Sequence, residues 1–97
     1  MAGTTATAAS GLALAIDELA ARGIPVDAGE IAEVRRQFDR LDALVCSAEI
    51  AFDEFLLWRD EGASSLTSWL ADAGRMSRRD ASRESRRIGR LRAWPVV

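Results

Sequence analysis

The feature that most constrains the fold is a stretch, 30–59, that contains neither glycine nor proline and in which apolar residues recur at alternating steps of three and four. This spacing places them on one face of an α-helix and is the heptad pattern of coiled coils. It predicts one long helix over residues 27–60, whose uninterrupted stretch of roughly thirty residues spans about 45 Å at 1.5 Å per residue. We expect a seam, serving as core or dimer contact, that consists of Ile31, Val34, Phe38, Leu41, Val45, Phe52 and Phe55.

Further apolar residues in the second half of this helix, among them Leu44, Ile50 and Leu57, lie outside the seam. Apolar groups therefore surround most of that half, which requires more than one neighbour to cover it. The C-terminal helices of the chain and a second copy of the chain are both candidates for that cover.

The segment before the long helix predicts a tail and a short helix. Residues 1–10 are small and polar without a period, and we expect a disordered tail there. Ser10 is a capping residue for a helix over 11–22, and Gly23 followed by Pro25 ends it. Asp27, with Glu30 three residues later, then marks the start of the long helix.

Two further helices, over 64–74 and 77–93, are predicted after the long one. Ser64 or Ser65 caps the first, and Gly74 ends it because glycine tolerates the left-handed conformation of a helix end. Ser77, with Asp80 three residues on, caps the second. The pair has the pattern of a helix-turn-helix, although glycine stands one residue earlier than is common and Arg75 takes the usual glycine position.

The second of these helices carries a stripe of arginines opposite an apolar face formed by Ala81, Ile88 and Leu91. Residues 62–97 hold three acidic residues and eight arginines, a formal charge of +5, whereas residues 1–61 hold twelve and five, a charge of −7. Such asymmetry indicates an anionic partner, either nucleic acid or the acidic part of the chain itself. The predicted base contacts are Arg78, Arg79, Ser82 and Arg83, and the predicted phosphate contacts are Arg86, Arg87 and Arg90. A solvated charged face, with Glu84 and Arg87 as a surface pair, is the alternative.

Composition gives little support for catalysis. The chain has no histidine, tyrosine or lysine, which are the common general bases and Schiff-base amines. The carboxylate pairs Glu49 with Asp53 and Asp39 with Asp42 lie one turn or less apart, but we expect solvated acidic faces and predict no metal, cofactor or small-molecule substrate. The single Cys46 fits a reducing cytoplasm, and no apolar run is long enough to span a membrane.

Several short motifs occur in order after the seam. They are Glu61-Gly62-Ala63, Ser68-Trp69-Leu70-Ala71, Met76-Ser77, Ala81, and the exit at Leu91 and Pro95. With them, residues 38–95 resemble the start of the actinobacterial 13E12-repeat proteins, a domain of unknown function (222).

The resemblance implies a part that binds or positions DNA, often fused to a C-terminal HNH endonuclease. The nuclease residues have no counterpart, since histidine and asparagine are absent, so we expect a non-catalytic piece. The family domain continues beyond the proline, which implies a chain truncated at its C-terminus.

These observations predict an all-α protein with a single helical domain over 11–97. Two functions are compatible with them. One is an HNH-associated DNA-binding or DNA-positioning module that acts on duplex DNA. The other is a helical dimerisation or protein-interaction module that has no role with nucleic acid.

Overall fold

The structure, a computed structural model, describes residues 7–93, and this part of the chain is all-α with no strand. Its helices are α1 (Ala8–Arg22), α2 (Ala28–Glu54), α3 (Leu57–Asp60), α4 (Leu66–Asp72) and α5 (Arg78–Ala93). The prediction of an all-α protein is confirmed. The chain divides into two compact units, an N-terminal unit up to Phe38 and a C-terminal unit from Asp39 onward, with the boundary inside α2.

Helix α1 begins earlier than the sequence predicted. Its N-cap is Thr7, whose hydroxyl accepts a hydrogen bond from the backbone N–H of Ser10, while the Ser10 hydroxyl accepts one from the N–H of Thr7. Ser10 is therefore the third helical residue and not the cap, because Thr7 can form this reciprocal capping box. The prediction of a tail was wrong for residues 8–10, and residues 1–6 lie outside the described residues. Gly23 ends α1 as predicted, with a φ of 79°.

The long helix is shorter than predicted, since α2 ends at Glu54 and not at residue 60. Phe55 and Leu56 form a turn in which Leu56 has a left-handed φ of 55°. For a non-glycine residue this conformation costs about 1 kcal/mol. The turn lets the half-buried Trp58 fold back, so that its indole Nε1 donates to Oδ1 of Asp53 at 2.9 Å. Of the apolar run that follows Glu54, the turn half-buries Trp58, whereas Phe55, Leu56 and Leu57 remain exposed.

The core of the C-terminal unit forms where α4 and α5 pack against each other and against α2. Its buried residues are Cys46, Leu66, Leu70, Ala81 and Ile88, and Trp69 packs against them. The rings of Trp69 and Phe52 lie 4.4 Å apart between centroids. Ala81 and Ile88 are completely buried, which confirms the apolar face predicted for α5. Leu91, assigned to the same face, remains exposed.

In the turn between α4 and α5, the residue with the left-handed backbone conformation is not the expected one. Ser65 caps α4 by accepting from the N–H of Ser68, and α4 ends at Asp72. Arg75, not Gly74, has the positive φ, at 53°. Glycine is nevertheless required at 74, because a Cβ there would lie 2.6 Å from the carbonyl oxygen of Leu70. Ser77 caps α5 as predicted, accepting from the N–H of Asp80 at 3.1 Å.

The predicted seam does not form a buried core in either unit. In the N-terminal unit, Ile31 and Phe38 are exposed and Val34 is half-buried. In the C-terminal unit, Leu41 and Phe52 are half-buried and Val45 is exposed. Phe55 lies in the turn beyond α2 with 71% of its surface exposed. Helical periodicity identified the face, but it could not show that, within the described residues, Phe52 alone of the predicted seam packs against the core of the C-terminal unit.

Candidate nucleic-acid interface

The arginines of α5 fall into two sets that face different surroundings. Arg78, Arg79, Arg83, Arg86 and Arg90 are exposed, and Ser82 beside them is half-buried. Because Ala81 and Ile88 hold the opposite side of the helix in the core, these side chains are directed to solvent. Arg83 forms a loose ion pair with Asp80, with 3.7 Å between Nη1 and Oδ1. Within residues 7–93, no ion pair engages Arg78, Arg79, Arg86 or Arg90.

Arg87 belongs to the second set and is engaged inside the C-terminal unit. Its Nη2 lies 2.5 Å from Oδ2 of Asp42, and its Nη1 lies 3.2 Å from Oε1 of Glu84. The hydrogen bonds to Asp42 raise the pKa of the Arg87 guanidinium above its usual value, and the negative charge of Glu84 adds to this against the opposing effect of desolvation. The structure therefore places this predicted phosphate contact in a two-carboxylate ion pair, where its charge is already balanced.

Arg92 provides a second connection between α5 and α2. Its Nη1 donates to Oδ2 of Asp53 at 2.6 Å, and the same carboxylate accepts from Trp58 through its other oxygen. Sequence reasoning assigned no role to Arg92 and treated Asp42 and Asp53 as solvated. The only local signal for these ion pairs was the three-residue spacing of Glu84 and Arg87, and these two residues do form the predicted surface pair.

A small cluster beside the core contains Cys46, Glu49 and Glu84, with one possible ligand atom of each within 4.8 Å of the others. Oε1 of Glu49 is sealed from solvent and has no hydrogen-bond partner among the described residues. Burial, and then the neighbouring Glu84 carboxyl group, raises the pKa of Glu49 to about 7, although Arg87 acts in the opposite direction. Burial likewise raises the pKa of the Cys46 thiol.

A thiol with two carboxylates is a donor set that can hold a divalent cation. One feature of this cluster opposes such a role, because Arg87 already supplies a positive charge to Glu84. The sequence had instead paired Glu49 with Asp53, but the structure directs Asp53 to Arg92 and Trp58.

An open apolar groove of about 390 Å³ adjoins this cluster in the C-terminal unit. Phe52, Trp69, Leu70 and Met76 line it, together with the turn at Gly74. The groove lies between the second half of α2 and the α4–α5 turn. Trp69 therefore has one side against the core and the other on the groove.

Comparison with known proteins adds no relative: no family model matches the chain, and no match was found among curated proteins or solved structures. The resemblance to the 13E12-repeat family therefore stays a prediction. Over the part of the chain that the structure describes, no helix has both the length and the apolar character needed to cross a bilayer.

Proposed function

We propose that this chain is a non-catalytic, cytoplasmic DNA-binding or DNA-positioning module in which α5 docks on duplex DNA. The observation that supports the proposal is the division of the α5 arginines. Arg87 and Arg92 are held by carboxylates of α2, whereas the exposed set carries charge that no described carboxylate balances, apart from the loose contact of Arg83. A solvated helix face would leave the same arginines exposed, so binding measurements with duplex DNA separate the two interpretations.

The exposed arginines are spaced to follow a duplex. Arg79, Arg83, Arg86 and Arg90 recur at steps of four, three and four, so they form one stripe along α5. A single α-helix fits the B-DNA major groove, and arginine pairs with guanine through two hydrogen bonds. We assign base contacts to Arg78, Arg79, Ser82 and Arg83, near the start of α5, and phosphate contacts to Arg86 and Arg90. Arg87 is left out of the interface because it is paired with Asp42.

The rest of the C-terminal unit has the role of a scaffold in this proposal. Leu66 and Leu70 of α4 pack with Ala81 and Ile88, which fixes how α5 is rotated about its own axis. The two ion pairs to Asp42 and Asp53 fix α5 at two points along its length. A recognition helix needs this rigidity, because a helix that is already fixed loses less conformational entropy when its side chains contact base edges.

Fluorescence anisotropy with a labelled duplex, titrated at low and at moderate salt, tests the proposal. We expect binding with Kd below about 100 µM at low salt, weakening as salt rises because each arginine–phosphate contact releases counterions. Replacing Arg86 and Arg90 by glutamine lowers the slope of log K against log salt by about 2. The matched control is Arg22→Gln with Arg36→Gln, which removes the same charge from exposed positions outside α5.

Two results would overturn the proposal. One is the absence of binding at low salt. The other is equal binding by the wild type and by the double variant Arg79→Gln, Arg83→Gln. If binding were a general electrostatic attraction, the α5 variants and the Arg22, Arg36 control would lose equal amounts of DNA affinity.

The second candidate function, an interaction module without a nucleic-acid role, is favoured by a separate observation. The N-terminal unit leaves its large apolar side chains exposed, as a surface that binds protein would. Loss of DNA binding together with retained self-association would select this candidate over the first.

A further inference from the structure

The N-terminal unit presents an apolar surface that nothing in the described chain buries. No residue in 7–38 is buried, although α1 and the start of α2 are rich in large aliphatic side chains. We call part of this surface the hairpin face. It consists of Leu12, Ile16, Leu19, Ile24, Ile31 and Phe38, each between 39% and 59% exposed.

Two cavities connect the members of the hairpin face. One, of about 510 Å³, is lined by Leu19 and Ile24 together with Val34. The other, of about 280 Å³, is lined by Ile24, Ile31, Val34 and Phe38. Leu12 and Ile16 extend the surface along α1, since they precede Leu19 at steps of four and three and therefore share its side of the helix. The hairpin face is thus one connected surface within this unit.

Its size approaches what a stable protein interface requires. A large aliphatic side chain has on the order of 100 Å² of apolar surface, so the six members together expose roughly 300 Å². A standard interface buries about 800 Å² per partner, of which somewhat more than half, or roughly 450 Å², is apolar. The neighbouring alanines of α1 and the half-buried Val34 contribute to the remainder.

The charges beside the hairpin face are complementary to those of the same surface on another copy. In the heptad pattern Ile31 and Phe38 occupy the a positions, Glu30 the preceding g position and Arg35 the e position. When two identical helices pair in parallel, each g residue meets the e residue five positions later on the partner helix. Glu30 of each copy then meets Arg35 of the other, which gives two attractive pairs.

The geometry within one chain is consistent with this pairing. Within the described residues, Glu30 and Arg35 form no ion pair with any group of their own chain. The Arg35 guanidinium carbon lies 5.3 Å from the centre of the Phe38 ring, which holds the cation at the edge of the apolar surface. By contrast, Glu33 and Arg36, which lie away from the seam, pair with each other at 2.6 Å.

We propose that a second copy of this chain covers the hairpin face, with the first halves of the two α2 helices parallel and Glu30 of each copy paired with Arg35 of the other. A self-complementary surface of this kind closes into a two-fold dimer without leaving a further binding face. The inference concerns the N-terminal unit and does not depend on DNA binding by α5.

Sedimentation velocity over a concentration series tests the dimer. We expect the wild type to be dimeric at tens of micromolar, and Phe38→Glu to weaken the dimer roughly tenfold or more because a charge is then buried against the partner helix at an a position of the heptad. The matched control is Leu14→Glu. Leu14 is also exposed on α1, at 68%, but it lies on the side of that helix away from Leu12, Ile16 and Leu19, so this variant remains dimeric.

Loss of the fold can be separated from loss of the dimer. Far-ultraviolet circular dichroism reports on the helix content of both units, and the tryptophan bands of the near-ultraviolet spectrum report on the C-terminal unit, because all three tryptophans follow residue 38. We expect the helix content and the tryptophan bands to be the same in Phe38→Glu, Leu14→Glu and the wild type. A wild type that stays monomeric at several hundred micromolar would overturn the proposal, and so would equal effects of the two variants.

Charge reversal tests the parallel arrangement. Glu30→Arg alone and Arg35→Glu alone each place like charges opposite one another and weaken the dimer. The double variant exchanges the two charges and restores wild-type association, because both pairs are attractive again. Failure of the double variant to recover affinity, or single variants that associate as the wild type does, would show that the helices are not parallel in this register.

Discussion

Helices α1 and α5 are of nearly equal length, fifteen and sixteen residues, yet they are packed in opposite ways. Helix α1 is mostly alanine, leucine and isoleucine, and it has no buried residue. Helix α5 contains seven arginines, and it buries Ala81 and Ile88 completely. The more apolar helix is therefore the less buried of the two.

The difference teaches that burial depends on how apolar residues are arranged and on what faces them. In α5 the buried residues are seven positions apart on one narrow side, and Leu66 and Leu70 of α4 are placed to meet them. Two ion pairs hold the same helix against α2. In α1 the large aliphatic residues Leu12, Ile16 and Leu19 also share one side, but each is at least 39% exposed, because no described element packs on them as α4 packs on α5.

The largest expected effect on the free energy of unfolding comes from truncating one isoleucine in each unit, which compares how the two units are packed. Ile88→Ala leaves a cavity in the core of the C-terminal unit and should lower the free energy of unfolding by about 2–4 kcal/mol. Ile16→Ala, on the exposed side of α1, should change it by less than about 0.5 kcal/mol under conditions where the chain is monomeric. Urea denaturation measures both, followed by tryptophan fluorescence for the C-terminal unit and by far-ultraviolet circular dichroism, which reports on the helices of both units, for Ile16→Ala. Equal losses would mean that the packing contrast between the units is wrong.

Two glycines provide the next test, with effects of opposite sign. Gly74→Ala forces a Cβ against the Leu70 carbonyl oxygen and should destabilise the C-terminal unit by about 1–3 kcal/mol. Gly11→Ala meets no atom within 4 Å and lies inside α1, so it should increase helicity and stabilise the N-terminal unit by up to about 1 kcal/mol. Thermal unfolding followed by circular dichroism reports the signs. A stabilising Gly74→Ala would contradict the close approach that ends α4.

The smallest expected effect is the pH dependence introduced by Glu49. Since the pKa of Glu49 is raised to about 7 from its usual value near 4.5, the folded chain favours the protonated carboxyl group. The stabilisation from this proton is fully present below about pH 4.5 and is lost as the pH rises through about 7. Glu49→Gln should therefore stabilise the C-terminal unit at pH 8 relative to the wild type, by on the order of 1 kcal/mol after allowance for solvent screening.

Urea midpoints for Glu49→Gln and the wild type at pH 5 and pH 8 check this expectation. Glu18→Gln serves as the control for the change in charge, because it removes a carboxylate from α1 whose side chain is 73% exposed. If the difference between Glu49→Gln and the wild type is the same at both pH values, the carboxyl group is not buried as the structure has it.

Local signals in the sequence predicted much of the fold but little of its tertiary arrangement. The caps at Ser65 and Ser77, the end of α1 at Gly23 and the buried side of α5 all follow from residues within a few positions of each other. The end of α2 at Glu54 did not, because no glycine or proline marks it and the left-handed residue is Leu56. The hydrogen bond from Trp58 to Asp53 spans that turn, and Arg92, 39 positions from Asp53, holds the same carboxylate.

The candidate site shows the same limit. The exposed stripe of α5 could be predicted from spacing, since the opposite side is apolar. The removal of Arg87 from that set could not, because its partner Asp42 lies 45 positions away in the chain. Which arginines act as anchors and which remain free is decided by such long-range contacts.

The ion pairs Asp42–Arg87 and Asp53–Arg92 also have a consequence for the path of folding. They close overlapping chain loops of 45 and 39 residues, with α3 and α4 inside both. The entropy lost on closing a loop grows only with the logarithm of its length, and the second closure costs less once the first has brought the helices together. We therefore expect α3 and α4 to fold together with α5 in one cooperative step, and contacts this distant in sequence to make that step slower than the formation of α1.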